Sequence, residues 1–356
     1  MVPGTYRTVL HTGLLWNQLL EHYRETLWLC AYMAEAAVFN GTTLISRLPS
    51  AHPVGIILLA HGCRQAPTVW FSKSAGCASC APRPEELCIA VNALRNRFAL
   101  VAAGNLAGSK GCWGADDLPV VRRALFSWRR QHKVESVPLF AIGPSSGGWF
   151  AGQTGRNWID MRAVSMQVMV PTVEDVSLPL PSTLQSYPPL EIILMSRDTA
   201  KLRERDALLA ANWPGRGDLR VHVASPKPIG PTYFSDTIVG MLPNVSAAVH
   251  AALVKAGHVD AQSGKVRKHP SRGSWRDTVL NALGHRHSML PQGSLQLAMD
   301  AVFAELDTAY GYHASTCEAV NKTLDFFRRT LPSASAGASW RRPPRMGTDP
   351  HFSQNG

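Results

Sequence analysis

The sequence contains no hydrophobic run that approaches the roughly 20 consecutive apolar residues needed to cross a bilayer. Its first segment, Met1 to Asn40, also lacks the basic stretch followed by an apolar stretch that marks a secretory signal. The sequence therefore predicts a soluble protein with no membrane span, and the expected location is the cytoplasm.

Acidic residues are fewer than basic ones: 25 Asp and Glu stand against 36 Lys and Arg, which gives a formal net charge of +11. Such a charge suits a nucleic acid or an anionic surface as a partner. The basic residues, however, are spread over predicted helix faces, as at Arg122 and Arg123, and no basic stripe interleaved with aromatic residues accompanies them. We therefore expect no nucleic-acid partner, and the sequence indicates no particular oligomeric state.

Cysteine is scarce, and the seven that occur form an odd set in a long chain, which argues against a disulfide framework. Cys77 and Cys80 have the C-x-x-C spacing of a metal-binding pair, with Cys63, Cys88 and Cys112 nearby in the sequence. No second such pair and no H-x-x-x-H motif follows at the spacing of a zinc finger. We therefore expect loop thiols with at most one local disulfide and no metal; a structural zinc site is the alternative.

The composition, 45% apolar and 17% charged, is that of a globular chain with a large buried core. Asn40-Gly41 between two apolar stretches predicts a β-hairpin over Ala36–Leu48. From Val54 to Gly152 the chain then alternates strand, helix, strand, helix and strand, a pattern that predicts a parallel sheet. Buried strands are predicted at Val54–Ala60, Phe98–Ala103, Leu139–Ile142, Ala163–Val170, Leu190–Met195 and Leu219–Ala224. Helices are predicted to start at Pro84 and at Asp116-Asp117, where the aspartates suit a helix cap.

A serine lies in a glycine-rich turn directly after the predicted strand Leu139–Ile142. The turn reads Gly143-Pro144-Ser145-Ser146-Gly147, and Gly-x-Ser-x-Gly is typical of a nucleophile elbow, in which glycines on both sides allow a strained turn. Such a turn raises Ser145 Oγ above the sheet, so Ser145 is the candidate nucleophile. The backbone N–H of Ser146, at the start of the following helix, is a candidate oxyanion donor.

A second short motif follows the predicted strand Val54–Ala60 and reads His61-Gly62-Cys63. A His-Gly pair in this position is typical of the loop that supplies the other oxyanion donor, here the backbone N–H of Cys63. His61 and Gly62 would then support the loop. An ordinary glycine turn with a packed histidine is the alternative.

An aspartate ends the predicted strand Leu190–Met195, in the segment Ser196-Arg197-Asp198. Open α/β sheets build their sites at the carboxyl ends of strands, so Asp198 is the candidate catalytic acid. It can also cap the helix that starts at Thr199, and the two roles are compatible. Glu174 and Asp175 are the alternative acids.

The candidate histidine is His313, in a turn just before the last predicted helix. No histidine follows the last predicted strand directly. An extra segment of about residues 235–311 lies between that strand and His313, with helical patterns near Val245–Ala256 and Leu295–Ala309. The alternative histidines all lie inside this segment and are His258, His269, His285 and His287.

Four regions are predicted along the chain. Residues 1–35 form an N-terminal helical extension, residues 36–331 form one α/β domain, residues 235–311 are a cap or lid inserted in it, and residues 332–356 form a disordered tail.

These residues together resemble the α/β-hydrolase superfamily, over about Ala36 to Leu331. The resemblance is carried by His61-Gly62-Cys63, by Gly143–Gly148, and by Asp198 and His313 in the order nucleophile, acid, histidine. It implies a mostly parallel sheet of about eight strands with helices on both faces, and the chemistry of a serine esterase, lipase or peptidase. The long segment before His313 and the cysteines near the oxyanion loop depart from the family pattern.

The resemblance implies a serine hydrolase that cleaves a carboxylic ester, thioester or amide through an acyl-enzyme, with Ser145, His313 and Asp198 as the triad. A small acyl compound would be the substrate, and no cofactor is implied. A non-catalytic protein of the same fold that binds a small ligand is the alternative, and a zinc protein with a vestigial elbow is another.

Overall fold

The computed structural model describes residues 34–106, 111–172, 187–211, 218–270, 275–284 and 294–331. The predicted N-terminal extension, apart from its last residues, and the predicted tail lie outside these ranges. So do the alternative acids Glu174 and Asp175 and the histidines His285 and His287.

An eight-stranded sheet forms the centre of the described chain, in the order β1-β2-β4-β3-β5-β6-β7-β8. Strand β2 pairs antiparallel with β1 and β4, and all the other pairings are parallel. The strands are β1 Glu35–Phe39, β2 Thr42–Arg47, β3 Gly55–Ala60, β4 Phe98–Ala103, β5 Leu139–Pro144, β6 Met161–Gln167, β7 Leu190–Met195 and β8 Leu219–Ala224. The predicted hairpin is therefore confirmed as β1 and β2, which turn at Asn40-Gly41.

Helices cover both faces of the sheet because the central strands are apolar on both faces. Along β3, Ile56 and Leu58 point into one hydrophobic cluster, while Ile57 and Leu59 point into the other. The helices are α1 Pro84–Arg95, α2 Asp117–Gln131, α3 Ser146–Asn157, α4 Thr199–Ala210, α5 Tyr233–Thr237, α6 Pro243–Lys255, α7 Trp275–Gly284, α8 Leu295–Tyr310 and α9 Val320–Arg329. Helices α2, α3 and α4 pack on the first cluster, and α1 and α9 pack on the second. The predicted fold class is confirmed.

Two local predictions were wrong. Strand β6 ends at Gln167 instead of Val170, because Val168 takes a positive φ of 47° that breaks the extended backbone. Asp116 does not cap helix α2 with its side chain. The Asp117 carboxylate instead accepts hydrogen bonds from the N–H groups of Leu106 and Gly114, so the loop after β4 is fastened to the start of α2.

The cysteine prediction was also wrong, since six of the seven cysteines form three disulfides. They are Cys63–Cys112, Cys77–Cys80 and Cys88–Cys317, which span 49, 3 and 229 residues of sequence. The two longer bonds join segments that only the fold brings together. The paired thiols are not available as metal ligands, so the zinc alternative is excluded for these residues.

The segment between β8 and α9 has a hydrophobic core of its own. Helices α5 to α8 bury apolar side chains such as Phe234, Trp275 and Val302 in a cluster distinct from the two that flank the sheet. Among the residues that the structure describes, none of the helices has the length and apolar character needed to cross a membrane.

A buried carboxylate in this segment, that of Glu305 on α8, should make stability depend on pH. Burial, together with the nearby Glu85 carboxylate, raises the pKa of Glu305 from 4.5 to about 7. Between these values the folded state keeps a proton that the unfolded state has released, so the free energy of unfolding falls as pH rises. The loss of stability caused by ionising Glu305 is absent below about pH 4.5 and complete above about pH 7.

We therefore expect Glu305→Gln to be more stable relative to the wild type at pH 8 than at pH 4.5, by about 1 to 3 kcal/mol. Urea unfolding of both proteins across this range measures the difference, in which the titrating groups that do not interact with Glu305 cancel. Asp300→Asn, an exposed carboxylate change on the same helix, is the control. A Glu305→Gln difference that does not vary with pH would contradict the prediction.

Candidate functional site

Ser145 lies in a strained turn between β5 and α3. Its φ of 53° and ψ of −121° fall in a region that side chains other than glycine rarely adopt. Its N–H donates to the carbonyl of Gln167 at the end of β6, over 2.9 Å. The turn places Ser145 at the carboxyl edge of the parallel sheet, as a nucleophile elbow requires.

The two glycines of the motif are required by close backbone contacts. A Cβ on Gly143 would lie 2.2 Å from the Gly147 carbonyl oxygen, and a Cβ on Gly147 would lie 2.3 Å from the Ala60 carbonyl oxygen. Both distances are far inside van der Waals contact. The missing side chains therefore let α3 approach both its own strand and the end of β3.

The structure brings Ser145, His313 and Asp198 together, although they are far apart in sequence. His313 Nε2 lies 3.0 Å from Ser145 Oγ, and His313 Nδ1 lies 2.7 Å from Asp198 Oδ2. An ionised aspartate can only accept, so Nδ1 carries the proton and the lone pair of Nε2 faces the serine. The arrangement can remove a proton from Ser145 Oγ.

The contacts of the Asp198 side chain suit both of the roles considered for it. Its Oδ1 accepts a hydrogen bond from the N–H of Lys201 in the first turn of α4, while Oδ2 pairs with His313. The side chain is 3% exposed, whereas that of His313 is 33% exposed. The acid is thus fixed by the fold, and the imidazole stays accessible to a substrate.

The described alternative histidines are engaged elsewhere. His258 stacks on Trp275 with ring centroids 4.1 Å apart. His269 Nε2 lies 3.9 Å from Asp307, and its ring packs against Tyr310 and Tyr312.

His61 shapes the loop that carries Cys63. Its Nδ1 lies 2.8 Å from the carbonyl oxygen of Gly62, and burial lowers the pKa of the imidazole, which keeps it neutral. The carbonyl of Gly62 and the N–H of Cys63 belong to one trans peptide and point in opposite directions. Holding the carbonyl therefore also fixes the direction of the Cys63 N–H. That N–H has no hydrogen-bond partner among the described residues.

Further contacts hold this loop to the segment before α2. Trp113 Nε1 donates to the His61 carbonyl over 2.7 Å, the N–H of Arg64 donates to Gly111, and Cys63 is bonded to Cys112. The roles of Trp113 and Cys112 could not be predicted from the sequence, because both depend on contacts that only the fold creates.

A cleft of about 720 Å³ lies between the loop after Cys63 and helix α8, and neither Ser145 nor His313 is among its lining residues. Arg64 and Gln65, which directly follow Cys63, line one wall of the cleft. Asp307 lines the other wall and lies near His269. The His269 ring packs on Tyr312, which is next to His313 in the sequence. Both walls are thus continuous with segments that carry candidate site residues. The charged side chains that line the cleft also include Arg83, Arg276 and Asp300.

Three polar residues of this region were not singled out from the sequence. Gln167 accepts from the N–H of Thr316, Glu86 accepts from Ser315 Oγ, and Glu85 accepts from the N–H of Cys317. All three donors lie in the loop that follows His313. A polar residue at the buried carboxyl end of β6 is the signal that could have indicated Gln167.

The chain matches no family model and no curated protein. Among solved structures it is similar to a Pyrococcus furiosus esterase, with 15% identity and a TM-score of 0.41 over 55% of this chain and 83% of that one. It is also similar to a dienelactone hydrolase from Anabaena variabilis, with 15% identity and a TM-score of 0.39 over 55% of this chain and 86% of that one. The chemistry of this chain is therefore derived from its own residues.

Proposed function

We propose that this chain, which has the α/β-hydrolase fold, is a serine hydrolase that cleaves a carboxylic ester, thioester or amide through an acyl-enzyme. One observation carries the proposal: a hydrogen-bonded path runs from Ser145 Oγ to His313 Nε2 and from His313 Nδ1 to Asp198 Oδ2, and it begins at a strained elbow. A Ser hydroxyl is a weak nucleophile at neutral pH, so an adjacent base is what the reaction needs.

In the first half of the reaction, Ser145 Oγ attacks the substrate carbonyl carbon while His313 Nε2 takes the hydroxyl proton. The negative charge passes to the carbonyl oxygen, and the positive imidazolium is stabilised by the Asp198 carboxylate. The imidazolium then donates its proton to the leaving alcohol, thiol or amine as the carbon–heteroatom bond breaks. The acyl group remains esterified to Ser145.

In the second half, water attacks the acyl carbon and gives its proton to His313. The tetrahedral intermediate collapses, Ser145 Oγ leaves and regains the proton, and the carboxylic acid is released. None of these steps uses a cofactor.

The backbone N–H groups of Cys63 and Ser146 are the proposed donors to the oxyanion. Ser146 is the first residue of α3, where N–H groups have no partner within the helix and the helix dipole favours a negative charge. The direction of the Cys63 N–H is fixed through His61. Each such donor contributes on the order of 3 kcal/mol to the transition state.

The cleft between the loop after Cys63 and helix α8 is the proposed place for the larger part of the substrate. It is lined by apolar side chains, such as Leu297 and Phe303, and by the charged side chains already named. A small acyl compound with both apolar and polar groups fits this lining.

A fluorophosphonate probe tests the proposal, because it phosphonylates only an activated serine. We expect wild-type protein to be labelled and Ser145→Ala to remain unlabelled. Ser235→Ala, which changes a serine in helix α5 of the inserted segment, should be labelled as the wild type is. If folded wild-type protein is neither labelled nor active on p-nitrophenyl esters of any chain length, the non-catalytic binding protein is the better description.

A further inference from the structure

The position of His313 is not explained by the strand that precedes it. Between the end of β8 at Ala224 and His313 lies the whole inserted segment. Over so long a connection the strand itself gives the loop little orientation. Two backbone hydrogen bonds hold the chain just before His313, from the N–H of Arg197 to Gly311 and from the N–H of Lys227 to Ala309, each over 2.9 Å. They leave the residues after His313 to be held elsewhere. Other contacts must fix the histidine to within the fraction of an ångström that proton transfer requires.

Helix α1 supplies two of these contacts through neighbouring carboxylates. Glu86 accepts a hydrogen bond from Ser315 Oγ over 2.7 Å, and Glu85 accepts one from the N–H of Cys317. Glu86 is only 1% exposed and Glu85 is only 6% exposed. Burying two adjacent carboxylates is costly unless each is hydrogen-bonded, and here the loop after His313 provides the donors.

The same helix is also bonded covalently to the loop. Cys88 lies one helical turn after Glu85, and it forms a disulfide with Cys317, four residues after His313. The Lys227 ammonium group lies 3.3 Å from Glu85 and offsets part of its charge. Burial still raises the pKa of Glu85, so its negative form depends on these donors.

Gln167 connects this loop to the nucleophile. Its side-chain oxygen accepts the N–H of Thr316 over 3.0 Å, and its backbone carbonyl accepts the N–H of Ser145 over 2.9 Å. A single buried residue at the end of β6 therefore contacts both the serine turn and the histidine loop. The histidine is held relative to the serine by contacts with α1 on one side and with Gln167 on the other.

We propose that Glu85, Glu86 and the Cys88–Cys317 disulfide are a clamp that positions His313 against Ser145. The proposal rests on the proposed serine hydrolase. None of these groups lines the cleft proposed for the substrate, and their contacts are with Ser315 and Cys317 instead of the reacting atoms. They therefore act through the histidine. Their loss should slow the chemical step while leaving substrate binding in the cleft unchanged.

The test compares kcat and KM for p-nitrophenyl butyrate in Glu85→Ala, Glu85→Gln and the double variant Cys88→Ser/Cys317→Ser. We expect Glu85→Ala and the double cysteine variant to lower kcat about 10- to 100-fold with KM within about twofold of the wild type, because a displaced base slows proton transfer. Glu85→Gln should keep most of the wild-type kcat, because its amide oxygen still accepts a hydrogen bond from the N–H of Cys317. The Lys227 side chain, which loses its charge partner, can turn toward solvent.

The control is Cys77→Ser/Cys80→Ser, which removes a disulfide whose backbone hydrogen bonds are local, between Ser74, Cys77 and Cys80. It should keep the wild-type kcat even if its melting temperature falls. The proposal is overturned if Glu85→Ala and Cys88→Ser/Cys317→Ser both keep kcat within twofold of the wild type. It is also overturned if the control loses as much kcat as these two variants do. The loss of kcat would then come from the lower stability of each variant and not from a displaced histidine.

His313→Ala separates this failure from a failure of the proposed function. If His313→Ala is inactive while the clamp variants are fully active, the histidine is required but α1 does not position it. If His313→Ala itself keeps wild-type turnover, the serine hydrolase mechanism is wrong and the clamp has no role to play.

Discussion

Replacing either Ser145 or His313 by alanine is expected to lower kcat for a p-nitrophenyl ester by about 10⁴-fold or more. The reason is the 3.0 Å contact between His313 Nε2 and Ser145 Oγ, through which nucleophile and base act as one unit. Without the base the hydroxyl keeps its proton, and without the hydroxyl the base has no nucleophile to activate. KM should change little, because neither side chain belongs to the cleft lining.

The double variant Ser145→Ala/His313→Ala gives the sharper measurement. Its kcat should be about the same as that of either single variant, since removing the second member of a broken unit has little further effect. Losses that multiply in the double variant would show that the two residues act independently, which contradicts the triad. Circular dichroism and the melting temperature of each variant serve as controls for folding.

Gly147→Ala is expected to destabilise the protein by about 3 kcal/mol or more and to abolish fluorophosphonate labelling. A Cβ at this position would meet the carbonyl oxygens of Ala60 and His61 at 2.3 and 2.6 Å. Both are backbone atoms, one at the end of β3 and one in the loop that carries Cys63, so neither can rotate away. Helix α3 must therefore move from the loop, and the proposed donors Cys63 and Ser146 separate.

The matched control is Gly230→Ala, where a Cβ would have no atom within 4 Å. It should change the free energy of unfolding by less than about 1 kcal/mol. Urea unfolding measures both variants. A Gly147→Ala protein with wild-type stability and labelling would show that the contact between α3 and the end of β3 is not required.

The sequence predicted those parts of the site that depend on local chemistry. Gly143 and Gly147 around Ser145 indicated a strained turn because few other residues fit one, and the turn has the expected backbone angles. The end of β7 placed Asp198 at the carboxyl edge of the sheet. The continuous apolar runs of β3, β4 and β7 predicted buried parallel strands, because only strands covered on both faces can be apolar throughout.

What the sequence did not predict depends on distant contacts. Cys88 and Cys317 are 229 residues apart, and no spacing rule connects them. Nothing in the first turn of α1 shows that a loop more than 200 residues later lies against Glu85 and Glu86, so their contacts could not be predicted. The positive φ of Val168 that ends β6 likewise depends on its surroundings, because isolated valine disfavours it.

The connectivity of the disulfides also constrains the order of oxidative folding. Cys63 and Cys112 lie on either side of Cys88 in the sequence, and both emerge during synthesis long before Cys317 does. Until the C-terminal part of the chain is made, Cys88 has only wrong partners for an exchange reaction. The thiol of Cys88 must therefore stay unpaired or be exchanged later. The bond beside His313 can form only after Cys317 has been synthesised, when the strands of the sheet and the inserted segment are already part of the chain.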